Sequence, residues 1–144
     1  MTVAQAVSIA VTFVWLGMVL AISFIEAPLK FRAPGVSLQV GLGIGRLVFR
    51  ALNSIEAVLA VVLVIGVAIA RPSPVAVIAV GVVVVALAAQ LVAVRPALNR
   101  RSDVVLTTPP GQAPTGRSRA HYGYVALELV KVIALIVGGI TLLA

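Results

Sequence analysis

The sequence predicts an all-α fold, a four-helix transmembrane bundle, and three observations predict it. Of 144 residues, 62% are hydrophobic and only 10% charged, so lipid rather than water is expected to be the main solvent. The apolar residues fall into four long blocks, and the basic residues gather in two of the three connections between them. At this length a single integral membrane domain, 1–144, holds four spans of about 20 residues with little left over.

The first block, Val3 to Ile25, has 23 residues without a charge. It is longer than a signal-peptide core and has no basic region before it, so a retained helix over 3–25 is expected. The second block is charge-free only over Ala57–Ala70, 14 residues that rise about 21 Å as a helix. That is short of the roughly 30 Å of hydrocarbon, so the span must begin near Ala51 and carry Glu56 into the membrane. Arg71, Pro72, Ser73 and Pro74 then predict a tight turn, because the two prolines stop one helix and suit the start of the next. A third helix is expected over 75–94. Pro96 should end it, and Pro109, Pro110, Gly111, Pro114 and Gly116 make the stretch to Arg119 read as a flexible loop. The last block has 13 charge-free residues from Val132, so its span, 122–143, must include Glu128 and Lys131.

Orientation follows from counting bases by connection. The loop over 26–50 carries Lys30, Arg32, Arg46 and Arg50, and that over 95–121 carries Arg95, Arg100, Arg101, Arg117 and Arg119, whereas the middle turn has only Arg71. Both long loops are expected in the cytosol and both termini on the outer face (N-out/C-out). Arginine outnumbers lysine nine to two and alanine and valine fill the spans, which fits a GC-rich bacterial genome and a cytoplasmic (inner) membrane location.

The halves read as variants of one hairpin, a parallel pseudo-repeat with its axis along the membrane normal. Pro28 and Pro96 follow the odd-numbered spans, and Glu56 and Glu128 each precede a glycine, Gly66 and Gly138, by ten residues. The competing reading is that proline and arginine are simply common at membrane boundaries.

Counted from the outer ends, Glu56 and Glu128 lie about 21 and 24 Å deep, in the cytosolic third. Glu128 and Lys131 are three residues apart on one helical face and can pair. Glu26, Arg50, Arg95, His121 and Tyr122, with Asn53, Gln90 and Tyr124 at nearby depths, complete a candidate polar cluster. Such carboxylates either lock helices by pairing with Arg46, Arg50, Arg95 or Lys131, or line a cavity that binds or passes something. His121 reads as a cap to the last helix flanked by aromatic anchors, with proton shuttling as the alternative. Small residues such as Gly17, Ala21, Gly66, Ala70, Gly81 and Gly138 suit close helix packing or a homo-oligomer contact.

Several classes are excluded or disfavoured. Cysteine is absent and one histidine and two methionines remain, too few for a metal or haem site, so no cofactor is expected. The net charge of +7 flanks apolar spans, where orientation explains it better than nucleic acid does. Gly41, Gly43 and Gly45 match neither nucleotide fingerprint, and Val36–Arg50 reads as a segment lying along the inner surface.

The exits and returns of the helices carry a set of short motifs: Gly17 leading to Glu26-Ala27-Pro28-Leu29-Lys30-Phe31-Arg32, then Arg46, Phe49 and Arg50, then Arg95-Pro96, and Arg119-Ala120-His121-Tyr122-Gly123. In these the chain resembles the small bacterial four-helix membrane proteins of the transmembrane protein 205 family and, more distantly, the copper-resistance D-like domains. The resemblance implies a fold and a membrane location. The scarcity of sulfur and imidazole ligands departs from a copper protein, so no metal is carried over.

Small size and the lack of a catalytic set favour a non-enzymatic subunit, assembly partner or scaffold, in a homo-oligomer or a larger membrane complex. The alternative is a small oligomeric proton-coupled transporter or exporter using Glu56 or Glu128, and a third is a lipid- or quinone-linked enzyme with Glu128 or His121 as base.

Overall fold

The computed structural model describes residues 1–109, 111–112 and 119–144, all of its regular structure being helical. Four helices are long and apolar enough to cross a membrane: α1 (Val3–Arg32), α2 (Leu38–Ala70), α3 (Pro74–Thr107) and α4 (Arg119–Leu143). Each begins or ends on local chemistry that the sequence supplies. Thr2 and Ser37 cap α1 and α2 by accepting the amides of Gln5 and Val40 at 3.2 Å, which satisfies otherwise orphaned donors of the first turn. Gly35, at φ +80°, makes the preceding turn, a conformation that costs an L-residue a Cβ clash. The α2–α3 turn is as tight as its prolines require. Arg71 adopts the left-handed conformation (φ 49°) and returns its amide to Val67, and Ser73 caps α3 with Pro74 in its first turn.

The helices run further than their apolar patterns. The segments 38–50 and 95–107, expected as loop, are helical, so α2 and α3 reach 33 and 34 residues, about 50 Å each and well beyond a hydrocarbon core of about 30 Å. Val36–Arg50 therefore does not lie flat as expected; from Leu38 it continues the axis of α2. Its glycines disfavour a helix weakly, but contacts hold both extensions in place. Arg46 meets Asp103 at 2.6 Å, Gln39 donates to the carbonyl of Thr108 at 3.3 Å, and Val105 of the second extension is buried. Gly41 and Gly45 lie one turn apart where Phe31 and Lys30 pack, and a Cβ at either would strike those side chains. The expected loop features at Pro110, Pro114, Gly116 and Arg117 lie outside the described residues.

Neither Pro28 nor Pro96 ends its helix. In both cases the turn before the proline widens to π geometry, over Leu20–Glu26 in α1 and Gln90–Val94 in α3. The amides of Ala27 and Arg95 bond back five residues, to Ile22 and Gln90. Proline lacks an N–H and crowds the carbonyl four residues back, and a wider turn relieves both problems without stopping the helix.

The bundle packs α1 against α2 and α4, and α3 most intimately against α4. Both termini lie at one end, where Gln5 of α1 donates to the Leu142 carbonyl of α4. The core contains Trp15, Val19, Leu63, Val67, Val83, Leu87 and Leu135, and Ile, Val and Leu cover the outer faces, as a lipid-facing surface demands. Burial follows the proposed repeat. Ser8, Thr12, Trp15 and Val19 are buried in α1, and Ala76, Val80, Val83 and Leu87, each 68 positions later, are buried in α3. Leu52, Glu56, Leu63 and Gly66 of α2 stand 72 positions before Tyr124, Glu128, Leu135 and Gly138 of α4, all likewise buried.

Small residues admit the close approaches. A Cβ on Gly66 would strike the Ser8 hydroxyl and one on Gly139 would meet the Phe13 ring at 2.7 Å, whereas Gly17 and Gly81 face open space. Gly66→Leu is expected to destabilise the protein by about 1–3 kcal/mol and to lower its melting temperature in detergent, while Gly17→Leu leaves it unchanged.

Candidate functional site

At the centre of the bundle each helix contributes at least one member of a polar network. Lys131 of α4 is fully buried, and its ammonium group lies 2.5 Å from Glu56 Oε1 of α2 and 2.6 Å from Glu128 Oε1, one turn back on α4. Trp15 of α1 donates its indole N–H to Glu56 Oε1 at 2.8 Å. Gln90 of α3 donates to Glu128 Oε1 at 2.6 Å, and also reaches the Tyr124 carbonyl at 3.4 Å. Helical periodicity places these groups. Glu128 and Lys131 are three apart and so share a face, and Gln90 is the first residue of the π turn before Pro96.

The chemistry of the network follows from its charges. Counting Glu56, Glu128 and Lys131 as ionised leaves one surplus negative charge on three groups that are 0–1% exposed. The second oxygen of each carboxylate, Oε2, is buried without a hydrogen-bond partner, as is Gln90 Oε1. Burying even a matched ion pair carries a desolvation cost of several kcal/mol per ion, which close contacts and additional hydrogen bonds must offset. The short contacts of Lys131 and the donors from Trp15 and Gln90 meet that requirement for one oxygen of each carboxylate. On α1 a stripe of polar residues, Gln5, Ser8, Thr12 and Trp15, leads from the terminal end towards Glu56. The Ser8 and Thr12 hydroxyls turn back onto the carbonyls of Ala4 and Ser8 at 2.8 and 2.7 Å, which satisfies them within their own helix.

The structure gathers only part of the predicted cluster. Glu56, Glu128 and Lys131 form the network. Arg95 lies one layer towards the basic end, its guanidinium 4.7 Å from the Tyr124 ring centre and 4.9 Å from that of Phe49. Glu26 pairs instead with Lys30, at 3.7 Å. Arg50 is exposed and borders a basic cavity of about 340 Å³ with Asn53 and Arg95. His121 borders a second cavity near Tyr124 and stacks edge-on with Tyr122, which points outward.

Trp15 is the member that sequence reasoning missed. The signal was available, because it is the sole tryptophan and its N–H, placed deep in an apolar span, must find an acceptor.

Removing the cation from the network should be worse than removing the network. Lys131→Met leaves two buried carboxylates facing each other and is expected to cost about 3–5 kcal/mol. The triple variant Glu56→Leu, Glu128→Leu, Lys131→Met should recover most of that loss, as chemical denaturation in detergent will show.

In comparisons with known proteins, no family model, no curated protein and no solved structure matches the chain.

Proposed function

We propose that this chain is a non-enzymatic integral membrane protein that acts as a subunit, assembly partner or scaffold. One observation carries the reading. The ionisable groups of the bundle centre are directed at one another, with Lys131 between Glu56 and Glu128 and Trp15 and Gln90 supplying the remaining donors. Groups arranged in this way hold four helices in register, whereas a catalytic acid or base needs an open side towards substrate. The bordering residues of the cavities near the basic end do not include these three. The resemblance to the transmembrane protein 205 family belongs to this proposal, as does a bacterial cytoplasmic membrane location with the basic ends of the helices in the cytosol.

A second reading, proton-coupled transport by an oligomer, is favoured by the surplus negative charge of the network. One proton shared between Glu56 and Glu128 would neutralise it, and the polar stripe on α1 leads towards it from the opposite end. Exchange of that proton for a cation would use Glu56 or Glu128 as carrier.

The readings separate experimentally. Native mass spectrometry of protein released gently from its own membrane should show a stable complex with a different polypeptide. Glu56→Gln and Glu128→Gln should lower protein level without altering any proton flux in liposomes. A homo-oligomer that takes up protons, and loses uptake in either variant at unchanged protein level, would overturn the subunit reading for the transport one. A C-terminal alkaline phosphatase fusion is expected to be active if the termini face outward; an inactive fusion with a fluorescent cytosolic reporter reverses the orientation.

A further inference from the structure

The basic end of the bundle holds a second feature, independent of the central network. Between the end of α1, the start of α2 and the facing parts of α3 and α4 lies a partly open cavity of about 360 Å³. Its wall is mainly apolar and is interrupted by Ser23, Lys30, Arg46, Arg95, Ser102, His121 and Tyr124. The polar groups have one chemical property in common: each can donate a hydrogen bond. Lys30, Arg46 and Arg95 also carry a positive charge.

Two of the cations already have acidic neighbours. Lys30, its side chain only 9% exposed, lies 3.7 Å from Glu26, and Arg46 contacts Asp103 at 2.6 Å. Arg95 pairs with no carboxylate among the described residues. Its guanidinium is wedged against the faces of Phe49 and Tyr124, and its Nε and Nη2 are buried with no hydrogen-bond partner. The hydroxyls of Ser23 and Tyr124, on the same cavity, are also buried and make no well-formed hydrogen bond, that of Tyr124 lying beside the Arg95 guanidinium. A buried donor left without an acceptor costs about 1–3 kcal/mol, more when charged, so a cavity that gathers several of them calls for an acceptor from outside the chain. Cationic donors set in an apolar wall between transmembrane helices match the headgroup of an acidic lipid. The guanidinium fork suits the paired oxygens of a phosphate.

We infer that this cavity is a binding site for the phosphate group of an anionic phospholipid, with Arg95 as its principal ligand and Lys30 as the second cation. The cavity takes the headgroup and the first methylenes, and the acyl chains leave along the lipid-facing surface. Stacking on Phe49 and Tyr124 holds the guanidinium in place before the lipid arrives, which lowers the ordering cost of binding. Arg46 and Arg95 also border the neighbouring cavity that contains Arg50, so the positive field at this end extends beyond the phosphate contact itself.

The test uses the full chain in nanodiscs of phosphatidylcholine, with or without phosphatidylglycerol as a minority component, read by native mass spectrometry after ejection from the disc. Wild-type protein is expected to retain one phosphatidylglycerol in preference to phosphatidylcholine. Arg95→Met, which keeps the stem and removes the donors, should reduce that preference about tenfold. Arg71→Gln, at the opposite end of the bundle, should leave it unchanged. Should Arg95→Met fail to fold, Lys30→Gln provides the same reading with a smaller expected loss. Equal retention of both lipids by the wild type overturns the proposal. So does a preference that survives both substitutions. Inorganic phosphate added to phosphatidylcholine discs distinguishes the remaining source: thermal stabilisation by phosphate without any preference for phosphatidylglycerol would make the ligand a soluble anion and overturn the lipid assignment.

Discussion

Lys131 is fully buried in a bundle of apolar helices long enough to cross a membrane, and its ammonium group has a carboxylate on each side, one from its own helix and one from α2. In hydrocarbon an unpaired ion is expensive enough that this geometry restrains everything around it. A slip of α2 along α4 by one turn, about 5.4 Å, would strand Glu56. Trp15 and Gln90 extend the same constraint to α1 and α3. Association of transmembrane helices gains nothing from expelling water, because lipid tails are as apolar as leucine. Directional contacts of this kind, together with tight packing, must therefore select one arrangement among many of similar apolar area.

Packing is the complementary constraint, and glycine sets it. Gly66 and Gly139 are the places where α2 and α4 approach α1, each against a side chain that a Cβ would displace. Nearer the basic end, Gly41 and Gly45 make room for Phe31 and Lys30, and so indirectly shape the cavity around Arg95. The first and last glycines of the Gly-x-Gly-x-Gly run thus have a structural meaning in a helix, where residues four apart share a face, while Gly43 between them faces open space.

The two halves share more than their boundary residues. Both odd-numbered helices widen into a π turn shortly before a proline, and the buried positions recur at constant offsets. Where the halves part company is informative. Seventy-two positions before Lys131 the first half has Leu59, packed beside the core, so one hairpin brings a carboxylate alone and the other brings a carboxylate with a cation. A symmetric pair of glutamates would face each other unneutralised; the single lysine makes their meeting possible.

Much of this was legible in the residues. Four spans, the tight turn at Arg71–Pro74, the inward position of Glu56 and Glu128, and the ability of Lys131 to pair with Glu128 all follow from hydropathy, length and helical periodicity, which are local properties of the chain. The extents of α2 and α3 were not legible, because hydropathy marks where a helix leaves lipid and not where it stops. What continues the extensions is contact between them, Arg46 with Asp103 and Gln39 with Thr108. Pro28 and Pro96 read as terminators in the sequence, since the residues alone do not show that the preceding turn can widen. The choice among Arg46, Arg50, Arg95 and Lys131 as partner for Glu56 was left open by the sequence, and the tertiary structure decided it in favour of Lys131. The sequence therefore determined which residues must be buried and roughly how deep. Only the packing of the helices decided which of them meet, because hydrogen bonds and ion pairs act over about 3 Å and depend on the rotation and register of each helix against its neighbours.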